Sequence, residues 1–208
     1  MDFPDFFYDV PVVSLREPLA VFLGASKSGV ITYNYADAVK LAGHSCPTVA
    51  GAYLMVSKGL AYLYDDELPE RGGIEVYMRG APDEGTTGVI AAIATLLTGA
   101  AAETGFAGIG HRFARRGLLQ FNTAIDGLLA LRRRDTGRGV ILDLDTATVP
   151  GNPEMRTLLP SAVSGQASEN EQTRFAMLWQ DRVARMLIDH VDDPALVRIR
   201  AWETADPT

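Results

Sequence analysis

The stretch Gly43-His44-Ser45-Cys46-Pro47, termed the corner, contains the only cysteine of the chain and one of its three histidines. Because His44 and Cys46 stand two residues apart, the imidazole and the sulfur can converge on one borderline-soft ion such as zinc. A reactive thiolate would use the same residues as a nucleophile and its neighbour. The alternative without function is that Cys46 is a small buried side chain and His44 a capping or core histidine.

Two predicted helices position the corner. Residues 35–41 have the pattern of a short helix that Gly43 ends, and Pro47 is typical of the first turn of a second helix extending to about Tyr64. Several backbone N–H groups lack partners at the start of this second helix, and the helix dipole favours the thiolate form of Cys46. We therefore expect a turn between two helices that presents an activated thiol.

Three further side chains could complete a site. His111 lies in a glycine-flanked loop and could be a third metal ligand, leaving one position of a catalytic ion open; an ordinary exposed histidine is the alternative. Asp83 and Glu84 precede another predicted helix, so a carboxylate there could be a fourth ligand, a general base or a turn residue. Cys46, Asp83 and Glu84 are the candidates for catalysis.

Tyr35 and Arg112 are the candidate contacts to a cofactor. Tyr33 or Tyr35 could line a pocket beside the corner. Arg112 or Arg115 could bind an anion, but a solvated loop is the preferred interpretation of these arginines. A cysteine followed by a proline also occurs where a thiolate ligates haem iron. Haem with Cys46 or His44 as its axial ligand is therefore an alternative to a zinc ion or another divalent transition metal.

The corner resembles the Gly-His-x-Cys-Pro motif that opens a long helix in the formylmethanofuran dehydrogenase FmdE family. The resemblance extends over about residues 34–200 and is specific at the corner and at a hairpin with an acidic-Thr-Gly-basic-Gly turn. The segments that resemble the second helix, the hairpin, the closing helix and the terminal strand of the family are residues 89–99, 131–140, 173–190 and 196–199.

Departures from the family pattern limit what the resemblance implies. Where family members carry an Asp-x-Cys and a further Cys, this chain has Gly88, Val89 and Ala100. A longer loop over residues 100–116 also replaces the Gly-Lys-Gly-Asn loop of the family. A single cysteine excludes the C-terminal zinc finger of some relatives. The resemblance therefore implies the core fold, a metal- or cofactor-binding cleft at the corner, and association with a molybdenum or tungsten redox enzyme.

Length and composition bound the remaining possibilities. With 208 residues and 47% hydrophobic content, the chain can bury one sizeable core. We expect one domain over residues 1–208, with an N-terminal extension (1–33) and a family-like core (34–200). The net charge of −7 argues against general nucleic-acid binding. No signal peptide, internal disulfide or bilayer-crossing segment is expected, which predicts a cytoplasmic protein without membrane contact.

The sequence pattern predicts an α+β fold in which a mixed or antiparallel sheet packs against a few helices. Apolar residues at spacings of three or four give the helix after the corner one buried stripe. Thr86 or Thr87 is the expected side-chain cap of the helix over residues 89–99. The segments with the composition or alternation of extended chain are residues 10–15, 19–23, 31–33, 74–78, 118–121, 128–132, 139–144 and 196–199.

Three functional hypotheses follow from these features. In an enzyme, the ion would polarise a carbonyl or activate water while Asp83 or Glu84 transferred protons. In a binding protein, the corner would hold or sense a metal, haem or small anionic ligand without turnover. In an accessory component of a redox enzyme complex, the corner would be structural. The exposed edge of a terminal strand favours a homodimer in each case.

Overall fold

The computed structural model of the protein describes residues 2–202. Short 3-10 turns cover Asp5–Tyr8 and Thr146–Thr148, and a π-helical turn covers Arg185–Asp189. The helices are α1 (Pro18–Phe22), α2 (Tyr35–Ala42), α3 (Pro47–Tyr64), α4 (Thr87–Thr98), α5 (Glu154–Val163) and α6 (Glu169–Ala184). The strands are β1 (Val13–Arg16), β2 (Val30–Tyr33), β3 (Ile74–Met78), β4 (Leu119–Gln120), β5 (Leu129–Arg133), β6 (Gly139–Leu144) and β7 (Val197–Trp202).

Five of these strands form one mixed sheet in the order β4-β3-β5-β6-β7. β3 and β4 are parallel, whereas the other neighbouring strands are antiparallel. β1 and β2 form a separate two-stranded antiparallel sheet. The predicted α+β fold is confirmed.

Helix α3 is the centre of the core and packs on β5, β6 and β7 as well as on α4. Two glycines allow its close approach to the sheet, because a Cβ at Gly51 would lie 2.2 Å from a methyl of Leu144 and one at Gly59 would lie 2.8 Å from a methyl of Leu131. Most residues between its first and last turns are buried. Burial of this extent fixes the position of the helix start, and the corner is attached to that start.

The two helices beside the corner confirm the sequence prediction closely. α3 has the predicted bounds, and α2 runs one residue beyond the predicted segment. Gly43 follows α2 with a left-handed φ of 76°, a conformation that glycine adopts without the cost that a Cβ imposes.

Two local predictions are wrong. Residues 19–23 were expected to be extended, but most of them belong to α1 because Pro18 occupies its first turn and the Glu17 carboxylate accepts the Leu19 N–H at 3.0 Å. Thr86 precedes α4 without donating or accepting a side-chain capping hydrogen bond. The sequence pattern also does not predict α5, since none of its residues is buried and Pro160 lies inside it.

Within residues 2–202, no helix combines the length and hydrophobicity that a membrane crossing requires.

Candidate functional site

The corner begins where α2 ends, and the start of α2 is itself strongly specified. Asn34 accepts the Asp37 N–H at 3.1 Å, and the Asp37 carboxylate accepts the Asn34 N–H at 3.0 Å. This capping box satisfies two backbone donors at once and stabilises the first turn. α2 is therefore fixed at both ends, by the capping box and by Gly43.

Cys46 occupies the N-cap position of α3. Its Sγ accepts the Val49 N–H at 3.5 Å, and Pro47 fills the first helical position. Sulfur is a weak acceptor, so this contact satisfies the backbone donor only modestly. The Cys46 side chain is half-buried and packs against the core.

His44 is exposed, and its ring is held by the backbone of the preceding helix. Nδ1 lies 2.9 Å from the Ala42 carbonyl oxygen. Since a carbonyl can only accept, Nδ1 carries the proton in this contact. In the neutral ring this arrangement leaves the Nε2 lone pair free, which is the usual state of a metal-ligating histidine.

Ser45, between the two candidate ligands, is anchored by three side chains. Its hydroxyl lies 3.0 Å from the Tyr35 hydroxyl, and its carbonyl accepts the Trp179 Nε1–H at 3.0 Å and the Gln180 amide at 3.2 Å. The anchors come from α2 on one side and α6 on the other. They fix the backbone that carries His44, so both neighbouring side chains start from a rigid position.

Tyr35 lies beneath the corner and not on an open pocket wall. Its ring is fully buried and packs edge-on against Phe7 and Tyr53, with centroids 4.9 and 5.7 Å away. Burial raises the pKa of Tyr35 far above its usual range, so its hydroxyl stays protonated. The predicted cofactor contact is thus placed as a support for Ser45.

A small apolar cavity of about 370 Å³ adjoins α6 on the side that anchors Ser45. Gln180 takes part in both features: its amide nitrogen binds Ser45, and its Oε1 is buried without a hydrogen-bond partner among residues 2–202. The cavity is lined by Leu159, Phe175, Ala176, Trp179 and Gln180.

His111 lies elsewhere, in an exposed turn in which Ile109 and Arg112 exchange backbone hydrogen bonds. It adopts a left-handed φ of 66°. The loop packs towards α1, because the Phe113 ring lies 5.2 Å from that of Phe22, whereas the corner packs against α6. Arg112 is exposed, and its guanidinium lies 4.6 Å above the Phe113 ring.

Over the described residues 2–202, no three histidine, cysteine, aspartate or glutamate side chains lie close enough together to hold a metal ion. His44, Cys46 and His111 therefore do not form a joint three-ligand group in this structure. Asp83 and Glu84 are exposed in the turn before α4, and the Glu84 carboxylate accepts the Ala81 N–H at 3.1 Å. That hydrogen bond lies within the turn itself. Metal binding, haem binding and the accessory role stay predictions.

One polar cluster was not predicted, and it involves Arg115. The buried Glu17 carboxylate accepts hydrogen bonds from Arg115 and, at 3.0 Å, from Arg71. Burial lowers the pKa of the Arg115 guanidinium, and the Glu17 charge opposes that effect. The anion that Arg115 contacts is thus an internal carboxylate 98 residues away in sequence, a pairing that no local pattern indicates.

Comparison with known proteins gives a weak structural likeness. No protein-family model matches the chain, and no curated protein matches it. The chain is similar to the crystal structure of a tungsten formylmethanofuran dehydrogenase FmdE-like protein from Syntrophus aciditrophicus, with 18% sequence identity, coverage of 84% of this chain and 74% of that chain, and a TM-score of 0.41. A likeness at this level does not establish the family, so membership stays a prediction.

Proposed function

We propose that the protein binds a transition metal ion at the corner, with Nε2 of His44 and Sγ of Cys46 as its ligands and zinc as the first choice. The observation that carries this proposal is the hydrogen bond from His44 Nδ1–H to the Ala42 carbonyl. It orients the ring and leaves the second nitrogen free to ligate an ion. Imidazole and thiolate are donors that suit zinc.

The rigidity of the corner supports the same proposal. Three side chains hold Ser45 through its hydroxyl and carbonyl. A binding site requires its ligands to start from fixed positions, and these contacts would provide that for the corner. The buried phenol of Tyr35 and the indole of Trp179 would act here by positioning the corner.

Two protein donors define the kind of metal site that fits. A structural zinc site uses four protein ligands and a catalytic one commonly uses three. The corner offers two, so the other coordination positions would be open to water, to a small ligand or to another chain. We expect an exchangeable ion, which when bound could act as a Lewis acid; the proposal concerns binding alone.

Titration of the apo protein with Co²⁺, a spectroscopic substitute for zinc, tests this proposal. We expect one equivalent to bind and to produce a thiolate-to-cobalt charge-transfer band in the near ultraviolet. Cys46→Ser should remove the band, and His44→Ala should weaken binding by about tenfold or more, since loss of even a hydrogen-bond partner that orients a ligand costs that much. Zinc competition should displace the cobalt from the wild type.

Two other histidines supply matched controls. His190→Ala removes a ring that pairs with Asp193 at 2.9 Å, and His111→Ala removes the ring in the exposed loop. Both variants should bind cobalt as the wild type does. Full cobalt binding by His44→Ala and Cys46→Ser together would place the site elsewhere, and a loss in His111→Ala would restore that residue to the ligand set.

A further inference from the structure

A groove separate from the corner lies beside β1. Residues 10–14 line one side and α3 lines the floor. Asp65 and residues 67–69 and 191–192 complete the lining. The groove encloses about 440 Å³, a size typical of ligand-binding clefts. It is termed the β1 groove.

The free backbone groups of β1 face this groove. The Arg16 N–H donates to the Pro69 carbonyl at 2.8 Å, and the Arg16 carbonyl accepts the Arg71 N–H at 2.8 Å. Arg16 therefore directs its backbone groups away from β2. Because these directions alternate along a strand, the N–H and C=O of Ser14 face the same side as those of Arg16.

The pairing at Arg16 does not continue along the strand. Among residues 2–202, no backbone partner on the groove side meets the N–H or C=O of Ser14, nor those of Val12. These two residues are two positions apart, which is the spacing at which an added strand forms its hydrogen bonds. Edge strands are commonly blocked by proline, charge or a bulge, but residues 12–14 are Val, Val and Ser.

The groove walls and floor combine apolar and acidic character. Among its lining residues, three carboxylates stand against one lysine, which gives a net charge of −2. The lysine, Lys58, already pairs with Asp192 at 2.7 Å, and Asp192 is 90% exposed. The apolar lining residues include Val12, Leu54, Leu60, Ala61 and Leu68.

We propose that the β1 groove binds an extended peptide segment of another protein by adding a strand antiparallel to β1 at Val12 and Ser14. Main-chain hydrogen bonds to Ser14 would give affinity, as in other cases of strand addition. Every second side chain of the peptide would be apolar and face α3, and basic side chains beside it would meet the carboxylates at the rim, including Asp65 and Asp192. This proposal is independent of metal binding at the corner.

The probe is the peptide acetyl-Lys-Val-Thr-Val-Lys-amide, in which the threonine lies opposite Ser14 and both valines face α3, titrated into the ¹⁵N-labelled full chain and followed by two-dimensional NMR. The Ser14 amide should shift downfield as it gains a hydrogen bond, and the other shifts should be confined to residues lining the groove. A peptide N-methylated at the central threonine should bind at least about fivefold more weakly, the effect of losing one hydrogen bond. A peptide N-methylated at the first valine is the matched control, because that N–H faces away from β1.

Two protein variants test the site itself. Ser14→Pro removes the edge donor and should abolish binding; proline is tolerated on edge strands, and circular dichroism would verify the fold. Ala61→Lys adds length and positive charge on an exposed position of α3 and should also abolish binding. The peptide with glutamate in place of both lysines should bind more weakly than the original.

Three results would overturn the proposal. Equal affinity of the two N-methylated peptides would exclude strand addition at Ser14. Shifts that spread away from the groove, or absence of shifts at millimolar peptide, would exclude the site. A change in sedimentation from dimer to monomer in Ala61→Lys would show that a second copy of this chain occupies the groove instead.

Discussion

The starts of α1 and α3 make an informative comparison, because each helix is capped by a residue that rarely serves as an N-cap. Glu17 caps α1 and Cys46 caps α3, and both side chains accept a backbone N–H. Ser, Thr, Asp and Asn are the usual residues there. The difference between the sites lies in what else contacts the two side chains.

At α1 the capping carboxylate accepts hydrogen bonds from two arginine side chains as well as from the helix backbone. Glu17 is 4% exposed and is hydrogen-bonded to Arg71 and Arg115. At α3 the Sγ of Cys46 has one weak hydrogen bond, and the neighbouring His44 ring keeps one nitrogen free. The comparison teaches that a reactive side chain indicates a binding site only where its neighbours leave it unsatisfied.

The largest expected effect comes from a substitution at Glu17, the cap whose carboxylate is hydrogen-bonded to its neighbours. Glu17→Gln removes the carboxylate that pairs with both Arg71 and Arg115, so it should lower the free energy of unfolding by about 3 kcal/mol, the usual result when one partner of a buried ion pair is lost. Urea unfolding measures this change. Glu70→Gln is the control, because its ion pair with Arg16 is exposed and should contribute less than about 1 kcal/mol. Equal losses of unfolding free energy in Glu17→Gln and Glu70→Gln would contradict the assigned difference between the buried and the exposed ion pair.

The second-largest effect is expected at the corner, where it tests whether Tyr35 positions Ser45. Tyr35→Phe removes the hydroxyl that holds Ser45 and should lower stability by about 1 kcal/mol. Tyr53→Phe should cost a similar amount, because its hydroxyl donates to the Pro11 carbonyl at 2.8 Å. Only Tyr35→Phe should also weaken Co²⁺ binding, by several fold. Cobalt titrations that show the same affinity for both variants would remove Tyr35 from its positioning role.

A third ion pair, in which the Asp135 carboxylate is exposed, gives a smaller, pH-dependent effect. The Arg133 guanidinium holds the pKa of Asp135 below its usual value through a 2.7 Å hydrogen bond. A carboxyl whose pKa is lower in the folded state stabilises the protein above its unfolded pKa, and this contribution is lost as the pH falls through the folded pKa. Asp135→Asn should therefore cost less than about 1 kcal/mol at neutral pH and almost nothing in strong acid.

Urea unfolding of wild type and Asp135→Asn at neutral and acid pH checks this expectation. Asp83→Asn, which alters an exposed carboxyl in a turn, is the control and should show a smaller difference at neutral pH. A difference between wild type and Asp135→Asn that grows in acid would have the wrong sign for a lowered pKa.

The smallest effect on stability is expected at Cys46, whose sulfur accepts one weak hydrogen bond. Cys46→Ser replaces a weak cap by a favoured one, so the free energy of unfolding should change by no more than about 0.5 kcal/mol or should increase. Cys46→Ala lacks a cap and should lose about 1 kcal/mol. Thermal unfolding compares the three proteins. A large loss in Cys46→Ser would show that the sulfur is a structural element, as Glu17 is.

Local signals predicted the elements beside the corner well. Gly43 and Pro47 mark the end of one helix and the start of the next, and the structure places both as expected. The local sequence pattern did not predict helices that are short or exposed. α1 has five residues, too few to show helical periodicity, and α5 buries none of its side chains.

The candidate site was predictable only in part. The sequence placed His44 and Cys46 together because they lie two residues apart on one turn. It could not indicate that Trp179 and Gln180 hold Ser45 across more than 130 residues. Nor could it show that His111 lies in a loop packed towards α1, or that Tyr35 supports the corner from below.

The sequence by itself determined the α+β class, the two helices around the corner and the proximity of His44 to Cys46, because these depend on spacing and on local backbone preferences. The tertiary structure alone decided which reactive groups are satisfied. Whether a carboxylate such as Glu17 or a thiol such as Cys46 remains available depends on partners brought near by folding, and burial and hydrogen bonding across distant segments are properties of packing.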